Sequence, residues 1–139
     1  MDYQSILTGL FYLVICADEK VNEKELALGK QMAKMEGMDE IEFNSKLESV
    51  KIKDQKILLQ DCINALKKQE IKLQIKCIAW LCVVANGDGF MDKEEWTLIY
   101  KIFNTELKLP INEIMETQKE LNRLIHGTAF QSIGVRVND

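Results

Sequence analysis

The sequence predicts an all-α fold of about seven helices, in which helices 1 and 2 and helices 5 and 6 form two pseudo-symmetric hairpins. Three observations lead to this prediction. The composition is rich in Leu, Ile, Lys and Glu, and the chain has one proline, which favours helices over sheet. Apolar residues recur at helical spacing along most of the chain. Finally, residues 10–36 and residues 80–106 share one order of features: an apolar helix, an acidic turn and a second apolar helix.

Length and composition predict one compact domain. A chain of 139 residues with 47% apolar residues is large enough to bury a core without disulfides. We expect a single helical domain over residues 1–127 and a C-terminal tail over residues 128–139. Alternating apolar residues in this tail leave two alternatives open, a short strand or a disordered segment.

Charge and cysteine usage narrow the class of protein. The net charge of −4 and the lack of a basic patch argue against a nucleic-acid partner. The sequence has neither a long uncharged apolar stretch nor a signal peptide, so we expect no membrane insertion and a cytoplasmic location. The four cysteines form no Cys-x-x-Cys pair and lie in apolar stretches, as is typical of reduced thiols packed in a core.

The first hairpin is predicted from residues 3–36. Apolar residues from Tyr3 to Ala17 follow one helical face, so helix 1 is expected to end near Asp18. Asn22 and Glu25 form a capping-box-like pair that opens helix 2. Gly37 is expected to end that helix.

The middle of the chain predicts three further helices. A short helix 3 is expected over Asp39 to Leu47, and Asp54 is the expected N-cap of helix 4. Helix 5 spans about Gln69 to Asn86 and is apolar nearly all round towards its end. It is therefore the expected central helix.

The second hairpin repeats the first. The turn Asn86-Gly87-Asp88-Gly89 follows helix 5, and Asp92 with Glu95 repeats the capping pattern at the start of helix 6. Pro110 suits the first turn of helix 7, expected to run to about Ile125. The single histidine, His126, then precedes Gly127, and this position is better explained by a helix C-terminus than by catalysis.

The acidic turns have two interpretations. Their oxygen-bearing side chains suit a hard divalent cation such as calcium, magnesium or manganese, and the candidate ligands are Asp18, Glu25, Asn86, Asp88, Asp92 and Glu95. Alternatively, these residues only make tight turns and helix caps. The capping interpretation explains less well why an Asp precedes each cap by four residues.

An EF-hand calcium loop is the nearest alternative for the second turn. Asn86, Asp88, Asp92 and Glu95 fall at ligand positions of such a loop, with Gly89 at its glycine position. The first ligand position, however, is Val84, which belongs to the apolar face of helix 5. A standard calcium site there is expected to be badly weakened.

Both turns resemble the bacterial TerB (tellurite-resistance) domain family, which is similar to the helical region of some membrane-anchored DnaJ-type co-chaperones. The resemblance rests on the run from Ala17 to Glu25, which is similar to the family signature Ala-Asp-Gly-x-Val-x-x-x-Glu, and on the run from Gly87 to Glu95. It covers about residues 3–125. Glu19 departs from it, because the family favours glycine there. The resemblance implies pseudo-twofold helical repeats and a cation-binding acidic surface formed by Asp18, Glu25, Asp88 and Glu95.

We therefore expect a non-enzymatic TerB-like module. Its acidic turns are expected to bind a divalent cation or a basic protein partner, and the family name implies a role in tellurite resistance or stress response. A degenerate calcium-responsive EF-hand is the alternative. An enzyme is not expected, because the sequence has neither a Gly-x-Ser-x-Gly motif nor a phosphate-binding glycine loop.

Overall fold

A computed structural model describes residues 1–17, 22–87 and 91–133, with side chains described as far as residue 126. Within these ranges every regular element is helical, which confirms the predicted all-α fold of about seven helices. The elements are α1 (Tyr3–Ile15), α2 (Glu23–Met35), α3 (Glu40–Lys51), α4 (Gln55–Lys67), α5 (Ile71–Ala85), α6 (Lys93–Tyr100) and α7 (Ile111–Ile133), and a π-helical segment (Lys101–Glu106) continues α6. No helix in the described ranges is long and apolar enough to cross a membrane.

Side-chain caps fix where the helices begin. The predicted N-caps Asn22, Asp54 and Asp92 each accept a hydrogen bond from a backbone amide in the first turn of their helix. Asp2 and Asp39 do the same for α1 and α3. Each cap satisfies an amide that has no partner within its own helix, which sets the register of the buried face.

The core is built around α5, as the sequence predicts. Of its 15 residues, 11 are buried, and it contacts α1, α2, α6 and α7. Trp80 is fully buried at its centre. A helix surrounded on most sides by other helices needs apolar residues all round rather than along one stripe, which explains its composition.

The ends of helices 3 and 7 differ from the prediction. Helix 3 continues to Lys51 because Phe43, Leu47 and Val50 form one buried stripe against α1 and α2. Helix 6 widens into the π-helical segment after Tyr100, a change in hydrogen-bond register that apolar periodicity does not reveal.

The predicted end of helix 7 near Ile125 is wrong. The backbone remains helical through Gly127 to Ile133. A glycine inside a helix costs only about 1 kcal/mol relative to alanine, and Ile114, Leu121 and Ile125 are buried along the same helix, which packs on α5. Residues 134–139 lie outside the described residues, so the division at residue 127 stays a prediction.

Candidate cation site at the paired acidic turns

The first turn joins α1 to α2. Helix α1 ends at Ile15 with Cys16 as its C-cap. After the turn, the Asn22 Oδ1 accepts hydrogen bonds from the backbone amides of Lys24 at 2.7 Å and Glu25 at 3.3 Å. The predicted ligand Asp18 lies outside the described residues. The capping half of the prediction is therefore confirmed, and Glu25 lies in the first turn of α2.

The second turn repeats this arrangement between α5 and α6. Asn86 is the C-cap of α5 and is exposed. The Asp92 Oδ1 accepts a hydrogen bond from the Glu95 amide at 3.0 Å, which places Glu95 in the first turn of α6. The predicted ligand Asp88, like Asp18, lies outside the described residues.

The residue that begins each turn lies near the other hairpin. A Cβ atom added to Gly87 would lie 2.8 Å from the Leu28 Cδ1 and 4.0 Å from the Lys24 Cβ. On the other side, Ala17 lines one cavity together with Glu94 and Leu98. In the sequence repeat, Ala17 aligns with Gly87, Lys24 with Glu94, and Leu28 with Leu98. Ala17 and Gly87, the last described residues before the two turns, therefore each lie near the second helix of the other hairpin, as expected for a pseudo-twofold relation.

Glu25 and Glu95 are the distinctive residues of this end of the molecule. Among the described residues they are the only charged side chains that are buried, with 5% and 2% exposure. They occupy equivalent positions in the two hairpins. Removing a carboxylate from water costs several kcal/mol unless charge or hydrogen bonds replace the lost hydration. Each hairpin therefore surrounds its glutamate with an environment that tolerates a buried carboxylate.

The local backbone supplies part of that environment. Both glutamates lie in the first turn of a helix, where unpaired amides and the helix dipole create a positive potential. Exposed acidic residues in the same turns, Glu23 and Glu94, share the benefit of the dipole without burial. Helix capping thus explains an acidic residue at these positions, and it does not require that the residue be buried.

The oxygen donors fit a hard divalent cation in kind. Carboxylates of Glu25, Asp92 and Glu95 and the Asn86 amide are the ligand types that calcium, magnesium and manganese take. Within the described ranges no group of three or more His, Cys, Asp or Glu side chains converges on one point. A cation bound here by protein ligands would therefore require donors such as Asp18 and Asp88, which those ranges do not include.

The structure gives the EF-hand alternative little support. Val84, at the first ligand position of such a loop, is fully buried and lies within α5. Helix α5 also continues through Ala85, so that the second loop position is helical as well. Since valine has no side-chain oxygen and Val84 is buried in the helix, position 1 of such a loop provides no ligand.

One feature of the site could not be read from the sequence. Gly87 was interpreted as a turn residue, whereas its contact with Leu28 shows that it also permits close approach of α2. A glycine in a turn signal has both explanations. Only the packing of the two hairpins distinguishes them.

The fold and these side chains define a class: a small protein whose described elements are all helical, with two buried glutamates at equivalent positions in the first turns of α2 and α6. No protein-family model, curated protein or solved structure matches the chain.

Proposed function

We propose that this chain is a non-enzymatic TerB-like module whose paired acidic turns bind a divalent cation. The observation that carries the proposal is the burial of Glu25 and Glu95 at equivalent positions. A bound cation would offset the cost of burying both carboxylates, because it supplies positive charge where solvent is excluded. A role in tellurite resistance or stress response accompanies the TerB resemblance and belongs to the same proposal.

The proposed ligand set combines both turns. Glu25 and Glu95 provide the buried oxygens, and Asp18, Asn86, Asp88 and Asp92 complete the set suggested by the sequence. Six or more oxygen ligands are needed for calcium, whereas magnesium and manganese accept six with several waters among them. We therefore expect one cation shared by the turns, or one per turn, and the stoichiometry distinguishes these cases.

A non-enzymatic role agrees with the environment of the thiols. Cys62, Cys77 and Cys82 are buried, and burial raises the pKa of Cys62 and Cys82 to about 12. A thiol that stays protonated at neutral pH is a poor nucleophile. His126 lies on α7, which packs against α5, rather than on a hairpin that carries an acidic turn.

Calorimetric titration of the chain with calcium, magnesium and manganese chlorides tests the proposal. We expect saturable heats and a rise in melting temperature for the wild type, since a ligand that binds only the folded state stabilises it. Both effects should be lost in Glu25→Gln/Glu95→Gln. Glutamine still serves in a capping box, so this variant removes charge while it preserves capping.

The matched control is Glu23→Gln/Glu94→Gln, which removes the same charge from exposed positions in the same helical turns. It should titrate like the wild type. Equal heats and equal thermal shifts in the wild type and Glu25→Gln/Glu95→Gln would refute cation binding at these residues. A basic peptide that binds the wild type in place of any cation would instead support the alternative ligand, a basic protein partner.

A further inference from the structure

An open groove lies on one side of the acidic turns. It has a volume of about 450 Å3 and runs between the end of α1, the start of α4 and the outer face of α6. Its apolar surface comes from Leu13, Ala17, Leu59 and Leu98. Leu59 and Leu98 are partly exposed and pack against the main core. The apolar surface of the groove therefore adjoins the hydrophobic core.

The rim of the groove is basic although the chain is acidic. Among the residues that the structure describes, Lys56, Lys93 and Lys101 line it together with one acidic residue, Glu94. All three lysines are exposed, and none forms an ion pair with another residue in the described ranges. The chain carries a net charge of −4, whereas the described residues that line the groove carry three positive charges and one negative charge. At physiological salt, exposed charges more than about 8 Å away are largely screened, so a bound group responds mainly to the charges that line the groove.

Among the described residues, the place equivalent to the groove in the other half of the molecule is closed. At the equivalent place in the other half, Leu28 contacts Gly87 so closely that a Cβ atom there would clash. The corresponding pair, Leu98 and Ala17, instead faces a cavity. Packing of the two hairpins therefore does not require an opening here, because the same packing is closed in the other copy.

We propose that this groove binds an acidic amphipathic helix of a partner protein. The occupant must bring apolar side chains for the leucines and carboxylates for the three lysines, which is the pattern of an apolar stripe with acidic flanks. A helix suits an all-helical host, because it satisfies its own backbone hydrogen bonds, whereas a peptide that binds by strand addition needs a sheet edge to pair with. The described elements include no strand.

The groove is distinct from the proposed cation site in both residues and charge. Its ligand is acidic, whereas the acidic turns would attract cations or basic groups. A result that refutes one proposal therefore does not refute the other. The Glu25→Gln/Glu95→Gln variant should bind the acidic helix as the wild type does.

Fluorescence anisotropy with labelled synthetic peptides tests the proposal on the full chain. The probe is a peptide of about 18 residues, long enough to form a helix, with leucines at helical spacing and glutamates elsewhere. A second peptide carries lysines in place of every glutamate. We expect the acidic peptide to bind the wild type and Lys56→Glu/Lys101→Glu to weaken this binding by about tenfold or more, since two attractive charges become repulsive.

The matched control is Lys72→Glu/Lys119→Glu, which makes the same charge change at exposed lysines that do not line the groove; it should keep wild-type affinity. The proposal is overturned if the acidic peptide does not bind, if both peptides bind equally, or if the two double variants behave alike. Two further outcomes would also overturn it, because each would identify a different occupant of the groove. One is saturable binding of laurate without peptide binding, and the other is a dimer of the chain that Lys56→Glu/Lys101→Glu dissociates.

Discussion

Glu36, at the end of α2, forms polar contacts with residues of α1 and α5. It caps the end of α2, and its Oε2 accepts a hydrogen bond from the Trp80 Nε1 at 2.7 Å and lies 2.9 Å from the Lys76 Nζ. Its carbonyl oxygen accepts a further bond from the Gln4 Nε2 at 2.7 Å. The side chain is only 10% exposed, so these contacts are made away from water, where an unpaired polar group is costly.

Glu36→Ala should lower the free energy of unfolding by about 2–4 kcal/mol, because it leaves the buried Trp80 N–H without its acceptor. Glu36→Gln should cost less, since an amide oxygen still accepts that bond. Urea denaturation followed by circular dichroism measures both. The control is Glu106→Ala at the equivalent repeat position, where the carboxylate is 28% exposed and 3.7 Å from the Lys67 Nζ; we expect a loss of at most about 1 kcal/mol there. Equal losses at Glu36 and Glu106 would contradict this explanation.

Between elements, the close packing of α1 and α2 depends on Gly29. A Cβ atom at this position would lie 2.3 Å from the Phe11 Cζ and 2.5 Å from its Cε1. Phe11 is fully buried and its ring lies 5.6 Å from that of Phe43, so it cannot move freely. The first hairpin thus uses a glycine where the second has the buried Ile99, and the two hairpins are only approximately equivalent.

Gly29→Ala should destabilise the chain by about 1–3 kcal/mol, because the clash with Phe11 outweighs the gain in helix propensity of about 1 kcal/mol. A double-mutant cycle with Phe11→Leu separates the two effects. In the Phe11→Leu background the ring is absent, and Gly29→Ala should then be neutral or stabilising. The cycle is measured by chemical denaturation. Additive losses would show that Phe11 is not the obstacle.

At the scale of the whole molecule, packing of the helices buries three cysteine thiols and the Tyr3 hydroxyl and favours their neutral forms. Burial raises the pKa of Cys62 and Cys82 to about 12 from an ordinary value of 9.0, and it also raises the pKa of Cys77 and of the Tyr3 hydroxyl. Since the folded state prefers the protonated thiol, its contribution to stability is complete below pH 9. That contribution is lost as the pH rises from about 9 towards 12.

The free energy of unfolding should therefore fall as the pH rises above 9, by up to about 1.4 kcal/mol per pH unit for each fully shifted group. Urea denaturation at pH 8, 9 and 10 measures the slope. Cys62→Ala/Cys82→Ala should have a lower free energy of unfolding than the wild type, because it leaves cavities. Its free energy of unfolding should, however, fall less steeply with pH. A slope unchanged in this variant would show that other groups cause the alkaline loss.

Much of this fold was predictable because its signals are local. Apolar periodicity predicts the first six helices and Pro110 the seventh, and Asn22, Asp54 and Asp92 are predictable as caps because a cap needs only one side chain and the next few amides. The end of α7 and the π-helical segment after Tyr100 were missed. In both places the outcome depends on packing against other helices, which local propensity does not report.

For the candidate site, the sequence by itself determined the residue types and their repetition: two acidic turns, each followed by a capping residue and a glutamate. Only the tertiary structure decided that Glu25 and Glu95 are buried, that Gly87 lies against Leu28, and that a basic-rimmed groove opens beside Ala17. The physical reason is that burial and proximity depend on how distant segments pack, whereas helix and cap formation are set by residues a few positions apart.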